Sequence, residues 1–164
     1  MRTQKLLLVA VLCVIGFTSS TAHGQISLLM TFTTDASGIT LGGLGIGSAS
    51  VAFGNVRAFG GTVPTGVTKT RVGNTFVLST PIDIQVTGVG IVTPTYTLAV
   101  KEATADPLDV FKWGGATVNS TGFVTLTTTA AYLTFIPWTF SIAVPFSNPP
   151  GAMSNTLNFV ATGN

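Results

Sequence analysis

Past residue 24 this chain has neither cysteine nor histidine: its one cysteine is Cys13 and its one histidine is His23. The lack of a thiol removes disulfide stapling and any thiolate nucleophile, so residues 25–164 must hold together through an apolar core. The lack of an imidazole removes Ser-His and Cys-His nucleophile pairs and, with thiols also missing, the usual structural zinc sites. Charge is almost as scarce, at 7% of residues. From residue 25 onward five cations (Arg57, Lys69, Arg71, Lys101 and Lys112) face five acids (Asp35, Asp83, Glu102, Asp106 and Asp109), a formal balance near zero. No nucleic-acid partner is expected, because neutralising a phosphate backbone takes a basic stripe. No G-x-S-x-G elbow, phosphate-cradling loop or dinucleotide fingerprint occurs, and the glycines between positions 42 and 47 miss those spacings. These absences predict a protein that is not an enzyme and takes no cofactor.

What is present begins with the N-terminal segment. Arg2 and Lys5 precede an apolar run from Leu6 to Phe17, and a small, polar stretch then ends in Ala22-His23-Gly24. Ala22 and Gly24 suit the positions a signal peptidase reads, so residues 1–24 are expected to be a signal peptide cleaved before Gln25. The apolar run is well short of the roughly 20 residues a bilayer-spanning helix needs, which predicts no membrane span after cleavage. Cys13 follows the bulky Leu12 and does not read as a lipidation site. The expected location is outside the cytoplasm: secreted, periplasmic or at the cell surface.

Alternation dominates the rest. Apolar residues fall at every second position in Ile26, Leu28, Met30 and Phe32, in Val51 and Phe53, in Phe76 and Leu78, in Ile82, Ile84 and Val86, and in Tyr96, Leu98 and Val100. The same parity returns in Ile136, Trp138, Phe140, Ile142 and Val144, and in Leu157, Phe159 and Ala161. This is the signature of strands with one face in a core, and Thr, Val, Ile and Phe suit such a pleated surface. Turn formers separate the runs at Gly60-Gly61, Gly73-Asn74, Gly114-Gly115 and Asn148-Pro149-Pro150-Gly151. No sustained helical period appears. The expected fold is all-β, an antiparallel immunoglobulin-like β-sandwich of about 7–9 strands, with a closed barrel as the alternative.

Domain organisation reads as a signal peptide (1–24), an N-terminal strand with a glycine-rich link (25–48) and a sandwich body (49–164). "ASGITLGGLGIGSAS", from Ala36 to Ser50, has little to bury and high backbone entropy, so it reads as a flexible connector or as a glycine-laden edge strand with a bulge. Either way it sets "ISLLMTFT" (Ile26 to Thr33) apart, an apolar and uncharged segment that needs a strand partner in its own domain or in a neighbour.

Two stretches carry a family resemblance. "VAFGNV" (Val51 to Val56) resembles the "FG" strand near the start of secreted bacterial domains related to spore coat protein U and to chaperone–usher pilins. "PPGAMSNTLNFVAT" (Pro149 to Thr162) is similar to their closing segment, in which Pro-x-Gly, a short spacer and an alternating strand end the chain. Those domains usually carry a disulfide, which this chain lacks. The resemblance implies an immunoglobulin-like sandwich in a surface appendage or coat, joined to its neighbours by strand donation. Ile26, Leu28, Met30 and Phe32 would then be the donor side chains, and the strand of Leu157, Phe159 and Ala161 would border the groove that accepts a neighbour's donor. On this reading the protein is a structural or adhesive subunit whose partners are further copies or related surface subunits.

Three other readings compete. Glu102, Asp106 and Asp109 could pair as glycosidase carboxylates, or Asp106 and Asp109 could join loop carbonyls around calcium. Interleaved with Lys101 and Lys112, they read more simply as a solvated loop, and no metal site is expected. The third is a monomeric secreted module that binds a carbohydrate or a surface. Trp138 shares the parity of core residues. Trp113, between that charged loop and Gly114-Gly115, is the candidate to stack on a polysaccharide from an exposed loop tip.

Overall fold

The computed structural model describes residues 27–37, 40–45, 48–57, 59–89, 93–149 and 151–164, and every regular element in them is a β-strand. Ile26 and the expected signal peptide lie outside the described residues. Eleven strands follow in order: β1 (Ser27–Thr33), β2 (Thr40–Gly45), β3 (Ser48–Val56), β4 (Thr68–Val72), β5 (Thr75–Val89), β6 (Thr95–Glu102), β7 (Val110–Trp113), β8 (Ala116–Thr117), β9 (Val124–Ala131), β10 (Ile136–Pro145) and β11 (Gly151–Gly163). They form two antiparallel sheets that pack together as a β-sandwich, the class the alternation predicts. One sheet runs β1-β5-β10-β7-β8, with β4 also on β5, and the other runs β2-β3-β11-β6-β9. The count exceeds 7–9 because β2, β4 and β8 are short pieces whose sequences carry no alternating apolar signal.

Strand β5 is the spine of the first sheet. Phe76, Leu78, Thr80, Ile82, Ile84 and Val86 all turn inward, so its period-2 pattern becomes one buried face. Strand β10 pairs along its full length without a slip, from Ile136↔Ile84 to Pro145↔Thr75. The opposite edge is shared: β4 covers Thr75 to Ser79 and β1 covers Asp83 to Val89. Pro81, which has no N–H for a ladder, falls in the gap between them. The Thr34 hydroxyl donates to its carbonyl at 2.8 Å, and the Thr80 hydroxyl reaches the Gly66 carbonyl at 3.2 Å.

In the second sheet β3 carries a bulge where its register with β11 slips, between Ala52↔Ser154 and Gly54↔Met153. Gly54 sits there at a φ of 67°, left-handed backbone that costs glycine little, just after Phe53 completes the inward parity of Ala49 and Val51. The glycine-rich stretch is strand rather than connector over Thr40–Gly45, where it forms the edge of this sheet with a slip between Gly42 and Gly45. An edge strand needs partners on only one side, which lets so irregular a sequence belong to a sheet.

Aromatic rings join the two layers. Trp113 lies 5.2 Å from Phe140 of its own sheet and 5.0 Å, edge-on, from Phe159 of the other. Phe32 meets Phe159 at 4.9 Å and Phe53 stacks on Phe140 at 5.6 Å. Pairs in these geometries contribute about 0.5–1.5 kcal/mol each beyond their buried area. With no disulfide past residue 24, this cluster is where stability concentrates.

Candidate functional site

The donor candidates and the closing strand both lie in sheets, in different layers. In β1, Leu28 is half-buried while Met30 and Phe32 are buried, and all seven residues pair with β5 of the same chain, Ser27↔Val89 through Thr33↔Asp83. Among the described residues β1 has no strand on its outer side. Strand β11 is central: Gly151 to Asn158 pair with β3, and Leu157 to Gly163 pair with β6 on the opposite side. Leu157 and Phe159 are buried and Ala161 is half-buried. Pairing with β3 ends at Asn158↔Ser48, so no described strand lies beside Phe159 to Gly163 on that side. Asn164 fixes the strand's end, its N–H donating to the Thr95 carbonyl at 3.1 Å and its Oδ1 accepting from the Thr97 hydroxyl at 2.7 Å.

Trp113 corrects the expectation of an exposed stacking platform. It has 0% of its surface exposed and sits at the centre of the aromatic cluster. The four residues of β7 alternate, Phe111 and Trp113 inward and Val110 and Lys112 outward. That alternation was legible in "VFKW", but the adjoining charged loop and the glycine pair outweighed a strand so short. Trp138 is half-buried at the margin of the core rather than inside it. Its ring covers the β7–β8 turn so closely that a Cβ on Gly114 would lie 2.7 Å from it.

The acids divide. Asp106 closes its own loop, its Oδ1 accepting the backbone N–H groups of Leu108 at 2.9 Å and Asp109 at 3.0 Å. Asp109 accepts the Asn148 amide at 2.7 Å. Glu102, expected in a solvated loop, is instead the last inward residue of β6 and only 5% exposed. Burial pushes its carboxyl above the ordinary range, the backbone of Asp106 draws it partly back, and the Asp106 charge raises it again. Asp109 is raised as well, by burial and by Asp106, against the pull of Asn148.

A raised carboxyl means the folded state holds its proton more tightly than the unfolded chain. Its cost is therefore absent below the unfolded value and grows as the pH climbs through the raised native one. Glu102→Gln keeps the shape and removes the charge, so it is expected to stabilise the protein by about 1 kcal/mol near neutral pH and by nothing in acid. Urea midpoints across that range measure this, and a variant no more stable at pH 7 than wild type would show the carboxylate to be well compensated.

A cluster that sequence reasoning missed lies where β3 leaves its sheet and β4 and β5 form their hairpin. Arg57, Lys69 and Arg71 gather there beside Phe59, Phe76 and Phe146. The Lys69 ammonium donates to the backbone carbonyls of Arg57 and Gly60 and lies 5.2 Å over the Phe76 ring. Arg71 donates from Nε to the Gly73 carbonyl at 3.3 Å and lies 5.5 Å over Phe146. Phe59 is 70% exposed, yet its ring rests 5.0 Å from Phe146. These six residues span positions 57 to 146, and no short motif links them; only the alternation of Lys69 and Arg71 hinted at a common face.

Among the described residues no helix is long and apolar enough to cross a membrane. No family model, curated protein or solved structure matches the chain.

Proposed function

We propose that the protein is an exported structural or adhesive subunit of a surface appendage or coat, and that its copies assemble through β-strand pairing with β1 as the contact strand. The observation that carries this is the character of the β1 edge. "SLLMTFT" is seven residues long, uncharged and free of proline, and it lies in unbroken register on β5. Edge strands of folded proteins are normally blunted by charge, proline or bulges, and one without them is a template for another strand. Along Phe159 to Gly163 of β11, alternate N–H and C=O groups point away from β6, as antiparallel pairing requires, which offers a receiving edge. Low charge adds to this, since little electrostatic repulsion opposes packing into an array.

The test compares unheated and boiled samples of native surface protein on a denaturing gel, with sedimentation of the purified chain. A ladder of multiples that collapses on boiling is expected. Leu29→Lys with Thr31→Lys, which charges the outward face of β1 and spares Met30 and Phe32, should remove the ladder while the fold persists. A chain that sediments as a monomer at every concentration and gives one band in both lanes would overturn the reading.

A further inference from the structure

Strand pairing leaves the basic–aromatic cluster without a role, and its shape points to a small ligand. The loop after β3 and the strands β4 and β5 border an open cleft of about 330 Å³. Phe53, Val56, Val67 and Leu78 supply apolar lining, while Arg57 and Lys69 stand at its polar side. A second hollow of about 240 Å³, holding Arg71 and the three phenylalanine rings, adjoins it, and Gly60 and Lys69 line both. No aspartate or glutamate lines either space, so three of the five cations past residue 24 converge where no carboxylate offsets them. Charges of one sign gathered at a cleft raise the local concentration of an incoming counter-ion.

The cations are also held in place. Backbone carbonyls fix Lys69 and Arg71 from one side and ring faces from the other, so little side-chain freedom is left to lose when an anion arrives. Lys69 spends two of its three protons on carbonyls, leaving one for a ligand. Arg71 spends only its Nε–H, leaving the paired Nη groups that grip a planar or tetrahedral oxyanion. The adjoining cleft, about 330 Å³, has room for a short hydrocarbon stem beside the head. Phe53, Val56, Val67 and Leu78 give an apolar stem one wall to lie against, while Asn55, Arg57, Thr62 and Lys69 line the polar side.

We propose that this cleft binds a small amphiphilic anion: a single carboxylate or comparable oxyanion head held between Lys69 and Arg71, carried on a short alkyl or aryl stem, of octanoate's length, lodged against Phe53, Val56 and Leu78. The head alone meets solvated cations and gains little, and the stem alone lacks the charge that orients it. Both parts are required, which separates this site from a generic anion patch and from a simple apolar hole.

The experiment uses octanoate, octan-1-ol of the same chain length, inorganic phosphate and alginate as probes on the full folded chain, followed by calorimetry and by backbone amide shifts in the NMR spectrum. Octanoate is expected to bind with Kd on the order of 1 mM or tighter, the range ligands of this size reach, with shifts confined to residues 55–78 and the vicinity of Phe146. Octanol should bind at least tenfold more weakly and phosphate not measurably. Arg71→Gln, at an exposed position that leaves the core untouched, should weaken octanoate about tenfold, and Lys69→Met at least as much. Equal binding of octanol would reduce the cleft to an apolar hole, and equal binding of phosphate would reduce it to an anion patch. Binding of alginate alone would assign it to a polyanion, and octanoate shifts lying elsewhere would remove the site. Each of these four results overturns the proposal. None touches the strand-pairing reading, because the β1 edge is a separate surface.

Discussion

Trp113→Ala is expected to cost about 3–5 kcal/mol of stability, the scale for removing a fully buried aromatic. The indole packs on Phe140 within its own sheet and on Phe159 across the sandwich, so its loss opens a cavity between layers that rigid strands cannot close. Domains of this size have only about 5–15 kcal/mol to lose, so urea unfolding should find the variant's midpoint far below that of the wild type. Trp113→Phe should be far milder. The Trp113 Nε1 is buried without a partner, so phenylalanine removes an unsatisfied donor while keeping most of the ring. An alanine variant that unfolds with the wild-type urea midpoint would mean that Trp113 lies at the surface after all, and would return it to the role of a sugar platform.

Removing β1, so that the chain starts at Thr34, should abolish independent folding. Met30 and Phe32 bury nearly all of their side chains, worth about 1.5–3 kcal/mol each, and a seven-residue ladder on β5 goes with them. The loss also bares β5 along Asp83 to Val89, the stretch where Ile84 and Val86 face the core. Circular dichroism and thermal melting of the truncated chain should show no cooperative transition. A synthetic peptide covering residues 25–33, added in excess, should restore one, because the missing strand pairs through main-chain groups and two pocket-filling side chains that a free segment also carries. Restoration in trans is the chemistry that strand exchange between copies requires. A truncated chain that melts within about 4 °C of the intact protein would show β1 to be peripheral and would remove it as the contact strand.

Periodicity carried most of the architecture. Where an apolar residue recurs at every second position over five residues or more, as in Ile82 to Val86, Tyr96 to Val100, Ile136 to Val144 and Leu157 to Ala161, a strand forms with that parity inward or half-inward. The pattern is local, so it can be read without knowing any neighbour. It fails where a strand is too short to establish a period, as in β7, where Trp113 looked exposed. It fails also where the sheet edge relaxes the demand for apolar residues, as in the glycines of β2. Glu102 departs from expectation for a related reason: its charge suggests solvent, but it continues the inward parity of Tyr96, Leu98 and Val100.

By itself, then, the sequence determined the all-β class, the inward face of β1, β3, β5, β6, β10 and β11, and the lack, past residue 24, of the residues that nucleophile pairs and zinc sites need. Only the tertiary structure decided which strands are neighbours, that β11 lies between β3 and β6, and that β1 and β4 share one edge of β5. It alone brought Arg57, Lys69 and Arg71 to Phe59, Phe76 and Phe146 around one cleft. The reason is physical. Alternation is a property of one strand, whereas pairing and convergence depend on the crossings between sheets, and seven of the ten connections change sheet. Those crossings bring together residues far apart in the chain, and no local pattern encodes them.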